Sequence, residues 1–292
     1  MRDKCKKPLM QHAISLLVFD LDGTLLNSRG EISEKNLTML KAAADRGAII
    51  SICSGRVPLM LKVYADLMDI RGPYSAANGA AVVHHLNDKA LFFKPMETAA
   101  VTRLVQFYEQ HGLEYSLLTD SIFYYSSHYP RLFTLERYNS LSKRLGGQTA
   151  DSRMLENNLL SYSGEPVLKS LTRPQNQKLY NELEVFLKQD RDLSYTFSES
   201  GLFEISAAAV SKGKGLRMIA DYYGIPMKNI CVMGDFDNDI TMFQAAGLGI
   251  AMGNASDALL AVADLVTGTN DNDGVAEAIN LIWNCLGPVN NN

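Results

Sequence analysis

Two hydrophobic patterns alternate along the chain: short unbroken apolar runs, and longer stretches in which apolar positions recur every three or four residues. Ile14 to Phe19 (ISLLVF) is the first run, the pattern of a strand buried on both faces of a parallel sheet. From Ser33 to Arg46, the residues Leu37, Leu40, Ala43 and Ala44 fall at helical spacing. Ser33 is placed to cap that helix, Glu34 sits in its first turn and Gly47 follows its end. A second buried strand, Ala48 to Cys53 (AIISIC), leads to Ser54-Gly55-Arg56, and Pro58 suits the first turn of another helix. Strand, helix, strand, helix is the opening of a doubly wound parallel-sheet α/β domain of Rossmann-like type. The same order returns near the C-terminus as a helix over Lys212 to Tyr223, a strand over Asn229 to Met233, a helix around Ile240 to Ala246, a strand over Leu248 to Ala251 and a last helix near Val275 to Trp283.

Between these halves the texture changes to tyrosine-rich and mixed. Helices are expected at about Glu97 to His111 and near Gln175 to Gln189, with strand-like pieces at Leu113 to Leu118 and Ser121 to Tyr125. This organisation predicts one core built from residues 1–83 and 204–292, interrupted by an inserted α/β domain over residues 84–203. The polar tail after Leu286 is expected to be disordered.

Composition narrows the class without naming the chemistry. With 292 residues, 47% hydrophobic and 21% charged, the chain resembles ordinary globular proteins, and no run approaches the roughly 20 apolar residues of a membrane span. Its first seven residues are basic, yet the apolar run that follows is too short for a secretion signal and ends in Asp20 and Asp22. A cytoplasmic location is expected. Cys5, Cys53, Cys231 and Cys285 are widely spaced without a C-x-x-C pair, so reduced thiols are expected rather than zinc or disulfides. A net charge of −4 and the lack of a basic stripe favour a small-molecule partner over nucleic acid or membrane, for a monomer or homodimer.

Four segments lie where buried strands end, the edge at which open parallel sheets bind ligands. Asp20-Leu21-Asp22-Gly23-Thr24 places two carboxylates on alternate positions, with Gly23 permitting a sharp turn. Asp20 is the expected nucleophile and Asp22 the expected general acid and base. Ser54 and the backbone N–H groups around Gly55 form a seat for an anion, although Ser54 equally suits an ordinary N-cap. Lys212 precedes a helix between glycines, a place where lysines are often simply solvated, and Lys214 competes with it. Gly234-Asp235-Phe236-Asp237-Asn238-Asp239 packs oxygen ligands suited to a hard divalent ion; it lacks the full ligand spacing of an EF-hand calcium loop.

If Asp20, Asp22, Asp235 and Asp239 converge, a phosphate dianion would be repelled by several kcal/mol per close like pair even at an effective dielectric of about 20. Such a pocket needs a cation, and a Mg²⁺ held by Asp20, Asp235 and a backbone carbonyl with Lys212 nearby would make it hospitable to a phosphoryl group.

In these residues the sequence resembles the haloacid dehalogenase superfamily, and within it the Cof-type phosphatases with an α/β (type IIB) cap. The likeness rests on DLDGTL at Asp20 to Leu25, CSGR at Cys53 to Arg56, AANGA at Ala76 to Ala80, VSKG at Val210 to Gly213, GDFDND at Gly234 to Asp239 and AMGNA at Ala251 to Ala255. The resemblance implies a Mg²⁺-dependent phosphatase for a small phosphate ester such as a sugar phosphate, with an aspartyl-phosphate on Asp20. It further implies that Asp22 handles protons and that Ser54, Gly55, Lys212 and Gly23 surround the phosphate. Asp20, the Asp22 main-chain carbonyl and Asp235 would bind the metal, Asp239 would support its shell, Asn238 would touch phosphate or Lys212, and Asn78 would line the substrate side.

Two alternatives use the same aspartate: a phosphomutase, and a phospho-accepting signalling module. Against the second, Asp22 supplies the group that makes an aspartyl-phosphate short-lived. Tyr115, Phe123, Tyr124, Tyr125, Tyr129 and Tyr138 are available to stack on a ring or sugar, but aromatic residues at strand spacing equally build a core.

Overall fold

The computed structural model describes residues 13–126, 132–155 and 164–286. The chain begins with β1 (Leu16–Phe19), α1 (Glu34–Asp45), β2 (Ile49–Ile52), α2 (Lys62–Leu67), β3 (Pro73–Ala76), β4 (Ala81–His84) and β5 (Lys89–Phe93). The inserted part contains α3 (Thr98–Gln110), β6 (Tyr115–Leu118), β7 (Ile122–Tyr125), α4 (Leu132–Arg144), β8 (Asp151–Met154), β9 (Lys169–Thr172), α5 (Gln177–Gln189), β10 (Leu193–Phe197) and β11 (Phe203–Ala207). The chain then returns through α6 (Lys212–Tyr223), β12 (Ile230–Gly234), α7 (Ile240–Ala245), β13 (Leu248–Ala251), α8 (Asp257–Val262), β14 (Leu265–Val266) and α9 (Gly274–Leu286).

The core sheet has the order β14-β13-β12-β1-β2, with every pair parallel. Its central strands are apolar throughout because both faces are covered. Leu17 and Phe19 of β1 pack with Leu40 and Ala43 of α1 and Ile279 of α9, whereas Leu16 and Val18 pack with Leu216 and Ile219 of α6 and Met242 of α7. A single parallel bridge, Cys53 to Ser75, extends the sheet towards the antiparallel set β3-β4-β5. The cap sheet, β10-β11-β9-β6-β7-β8, is antiparallel except between β7 and β8. Leu117, Tyr124, Phe203 and Ile205 face a core built with α3 and α5, while Leu118, Phe123 and Leu171 join the core cluster of the parallel sheet.

Several expectations need correction. Pairing of β5 with β4 and of β11 with β9 means that the expected divisions at 84 and 203 fall inside sheets. Lys94 N–H still bonds to Ala80 on the core side, but Met96 N–H bonds to Val167 in the cap. On the return, Ala208 N–H bonds to Asp192 in the cap before Ser211 caps α6. The crossovers therefore lie at 94–96 and 208–211, tied together by Lys94 Nζ donating to Ala208 O at 2.8 Å. The misplaced boundary has a simple cause: β5 is an exposed edge strand, so its apolar pattern carries no sign of the sheet it joins. Residues 257–266 fold as α8 and β14, elements too short to announce themselves by periodicity.

In α1 the buried face holds Asn36, Leu40 and Ala43, while Ala44 is exposed. Asn36 is buried because its Oδ1 accepts the Ala276 N–H of α9 at 3.0 Å. Of the aromatic residues considered for stacking, Tyr115, Tyr124 and Tyr138 are buried in packing clusters; Tyr129 and Cys5 lie outside the described residues. Cys53 and Cys231 are buried free thiols. Among the described residues no helix is long and apolar enough to cross a membrane.

Replacing Asn36 by Ala should leave the Ala276 N–H buried without its partner and lower stability by about 1–3 kcal/mol. Urea unfolding should report this as a lower midpoint at unchanged slope.

Candidate active site

Strand β1 runs straight into the site. Asp20 N–H bonds to Met233 O of β12 at 3.0 Å, so the first carboxylate is fixed by the last step of the parallel ladder. Gly23 then turns at φ +76°, and a Cβ there would come within 2.2 Å of Asp235 Oδ2. Only glycine gives both that backbone and that approach. Asn254 Nδ2 donates to Gly23 O at 2.8 Å, and Thr24 Oγ1 donates to Asp235 Oδ1 at 2.9 Å. The two strand-end loops are thereby locked together.

Lys212 opens α6, with Ser211 as N-cap. Its side chain is entirely buried, and its Nζ donates to Asp20 Oδ1 at 2.6 Å and to Asp239 Oδ1 at 2.5 Å. Lys214 is exposed, so of the two lysines it is Lys212 that reaches the acidic cluster. The second oxygen of Asp239 accepts the N–H groups of Asp235 and Phe236 at 2.9 and 3.2 Å. Asp239 thus anchors both the lysine and the loop that carries Asp235.

Carboxylate oxygens of Asp20, Asp235 and Asp239 lie within 4.8 Å of one another, all three buried. Three carboxylates face one ammonium, so the ionised cluster holds two uncompensated negative charges. Burial accordingly pushes the Asp20 carboxyl up to about 7; the Lys212 ammonium pulls it down, and Asp239 opposes that pull. Burial, with Asp20 and Asp239 close by, also raises Asp235 well above the ordinary carboxylate range. The Lys212 ammonium stays charged because its two carboxylate partners outweigh the cost of burial. The donor set fits a hard divalent cation in ligand type, spacing and charge.

Above this cluster opens a cavity of about 720 Å³. Asp20, Asp22, Gly23, Ser54, Gly55, Asp235 and Asn238 line it from the core. Lys212, Asp239 and Asn78 lie behind that wall rather than on it. Asn78, at φ +55°, donates through Nδ2 to Glu204 and accepts from Asn238 Nδ2 at 3.2 Å. Ser54 Oγ accepts the Arg56 N–H at 3.2 Å, so it serves as a local cap and as a cavity wall at once. The Asp22 carboxylate stands apart from the acidic cluster. Arg56 grips it with two bonds of 2.7 Å while stacking over Tyr64. This carboxylate is thus held by Arg56 and is not one of the three that cluster.

Sequence reasoning assigned no role to Thr24, Arg56 or Asn254, although each lies within or beside a quoted motif. Lys169 and Glu204 it missed altogether. Their one signal is a lone charge inside an apolar strand, in VLKSLT and LFEIS.

The sequence matches the family described as haloacid dehalogenase-like hydrolase over residues 17–279. The chain belongs to this family. Two 5-amino-6-(5-phospho-D-ribitylamino)uracil phosphatases of Bacillus subtilis (strain 168) are similar to it. One is 31% identical, with 89% of this chain and 94% of the relative covered; the other is 29% identical, with 89% and 95% covered. The solved structure of a haloacid dehalogenase-like hydrolase from B. subtilis is 26% identical, covers 91% of this chain and 99% of its own, and superposes with a TM-score of 0.79. The protein is thus a phosphatase of the haloacid dehalogenase superfamily, of the Cof type that its motifs resemble. Membership sets aside the signalling-module alternative.

The raised Asp20 carboxyl has a consequence for stability. Its folded value, about 7, exceeds the ordinary 3.8, so between those limits the folded state binds more protons than the unfolded chain. Stability of the metal-free protein should therefore fall by a few kcal/mol as pH rises from about 4 to about 7. Thermal melts in EDTA should show wild type losing ground to Asp20→Asn across that window.

Proposed function

We propose that the protein is a Mg²⁺-dependent phosphatase that hydrolyses a small phosphorylated metabolite, a sugar phosphate or similar ester, through an aspartyl-phosphate on Asp20 in the cytoplasm. What carries this reading is the placement of Asp20, buried, gripped by Lys212 and facing a cavity that Ser54, Gly55 and Asp235 also line.

Asp20 and Asp235 with the Asp22 main-chain carbonyl would hold Mg²⁺, which supplies charge neutralisation for the incoming phosphate. Lys212 fixes which Asp20 oxygen is engaged and leaves the other to attack phosphorus. The bond from phosphorus to the leaving oxygen breaks as the new Asp20–phosphorus bond forms. The Ser54 hydroxyl and Gly55 N–H steady the phosphoryl oxygens, and Asn238 borders them. Asp22, released from Arg56, gives its proton to the leaving oxygen. It then takes a proton from the water that attacks the aspartyl-phosphate, so that inorganic phosphate departs and Asp20 is restored.

The relatives' named substrate, 5-amino-6-(5-phospho-D-ribitylamino)uracil, is a phosphorylated polyol attached to a ring, which is consistent with a sugar-phosphate-like ester here. A mutase using the same intermediate would return an isomerised phosphate.

Asp20→Asn should lower kcat by at least about 10³-fold. EDTA should abolish turnover and Mg²⁺ restore it. Mg²⁺ at about 100 times its Kd should also stabilise the fold by about 2.7 kcal/mol, an effect lost with Asp235→Asn. Release of inorganic phosphate is the expected product; an isomerised ester, or full turnover by Asp20→Asn, would refute the reading.

A further inference from the structure

Among the charged cap side chains that line the catalytic cavity two are buried, and the reaction just described uses neither. Lys169 of β9 and Glu204 of β11 are 4% and 5% exposed, with Nζ and Oε1 3.0 Å apart. On antiparallel neighbours, Glu204 pairs with Leu171 and Ser206 with Lys169, which sets both charges on the same core-facing side of the sheet as Leu171. Burial alone would push the Glu204 carboxyl up; Lys169, Ser198 and Asn78 together outweigh it and hold the group below its ordinary range. Glu204 is therefore a carboxylate in a cavity that must admit a phosphate.

Apolar packing between cap and core does not require this pair. Buried ion pairs are often replaceable by apolar residues of similar volume without loss of stability. The neighbours on this face, Leu118, Phe123 and Leu171, are apolar already. A fixed carboxylate also works against the charge of the ligand. It gains a use if the ligand carries hydroxyl groups, since a hydroxyl can donate to the carboxylate that Lys169 holds in place. Glu204 Oε1 takes Lys169 and Ser198, the latter at 2.6 Å, whereas Oε2 takes Asn78 alone among the described residues, so an acceptor site remains there. Lys169 also donates to Gly55 O at 2.6 Å, which holds the pair in register with the phosphate seat. One end of a substrate would be fixed by Ser54 and Gly55, and the other measured from that point.

Resting on the phosphatase reading above, the geometry points to Lys169 and Glu204 as the residues that select the leaving group. They take a polyhydroxylated alcohol, a polyol or sugar, and disfavour an alcohol without further hydroxyls, which would seal the pair from water without offering it a partner. Neither touches the reacting atoms; their part is specificity.

The test compares D-ribitol 5-phosphate with phenyl phosphate in the presence of Mg²⁺. Wild type should favour the polyol ester in kcat/KM. Lys169→Met and Glu204→Gln should each lose roughly ten- to hundredfold more on that ester than on phenyl phosphate, chiefly through KM. The double variant K169M/E204L, apolar on both sides and therefore expected to fold, should lose the preference as well; circular dichroism melts verify folding. Equal losses on both esters would overturn the proposal and reduce the pair to a strut between cap and core. So would a wild type without preference. Phosphate release from neither probe, or turnover surviving in Asp20→Asn, would instead count against the phosphatase reading, a result separable from any change in the ratio.

Discussion

Lys212 is buried with its ammonium between Asp20 and Asp239, and most of the site follows from that arrangement. A lysine in a dry interior is tolerated only when well paired. Here the pairing fixes three chain segments at once: the end of β1, the start of α6 and the loop after β12. The close packing of α6 is part of the same constraint, since a Cβ on Gly213 would lie 2.3 Å from the Thr241 carbonyl oxygen. Because one ammonium cannot balance three carboxylates, the pocket keeps the residual charge that suits a divalent cation. The electrostatic imbalance that costs stability in the metal-free chain is the same one that prepares the site for its chemistry.

Cap and core meet in two unlike ways. Part of the contact is apolar, where Leu118, Phe123 and Leu171 merge with the main core cluster. The other part is a polar chain from Lys169 and Glu204 through Asn78 to Asn238, with a branch to the Gly55 carbonyl. Hydrogen bonds are directional, so the polar chain adds register to the close-packed apolar contact. The cap is thus held in a defined position over Ser54 and Gly55, and the cavity between them gains walls of contrasting character.

The parallel core was largely legible in the sequence. The ISLLVF, AIISIC and NICVM runs needed no context to read as buried strands, and α6 and β13 occupy the residues their patterns indicate. The motif residues were equally visible as types: carboxylates after strands, a glycine at the turn, an amide-rich acidic loop. Less legible were β5 and β14, whose membership in a sheet depends on partners and not on local pattern. Asn36 shows the same limit. A polar residue on the inward face of a helix reads as an error until the Ala276 N–H opposite is known.

By itself the sequence determined which chemical groups were present and that strand ends would carry them, because burial on both faces of a parallel sheet imposes short unbroken apolar runs, here bounded by turn residues and too short for helices. Tertiary structure alone decided their company. It sank Lys212 beneath Asp20 while leaving Lys214 in solvent, turned the Asp22 carboxylate to Arg56, and brought Lys169 and Glu204 from the cap to the cavity wall. Those outcomes depend on distances between residues remote along the chain, and local hydrophobic periodicity carries no information about such distances.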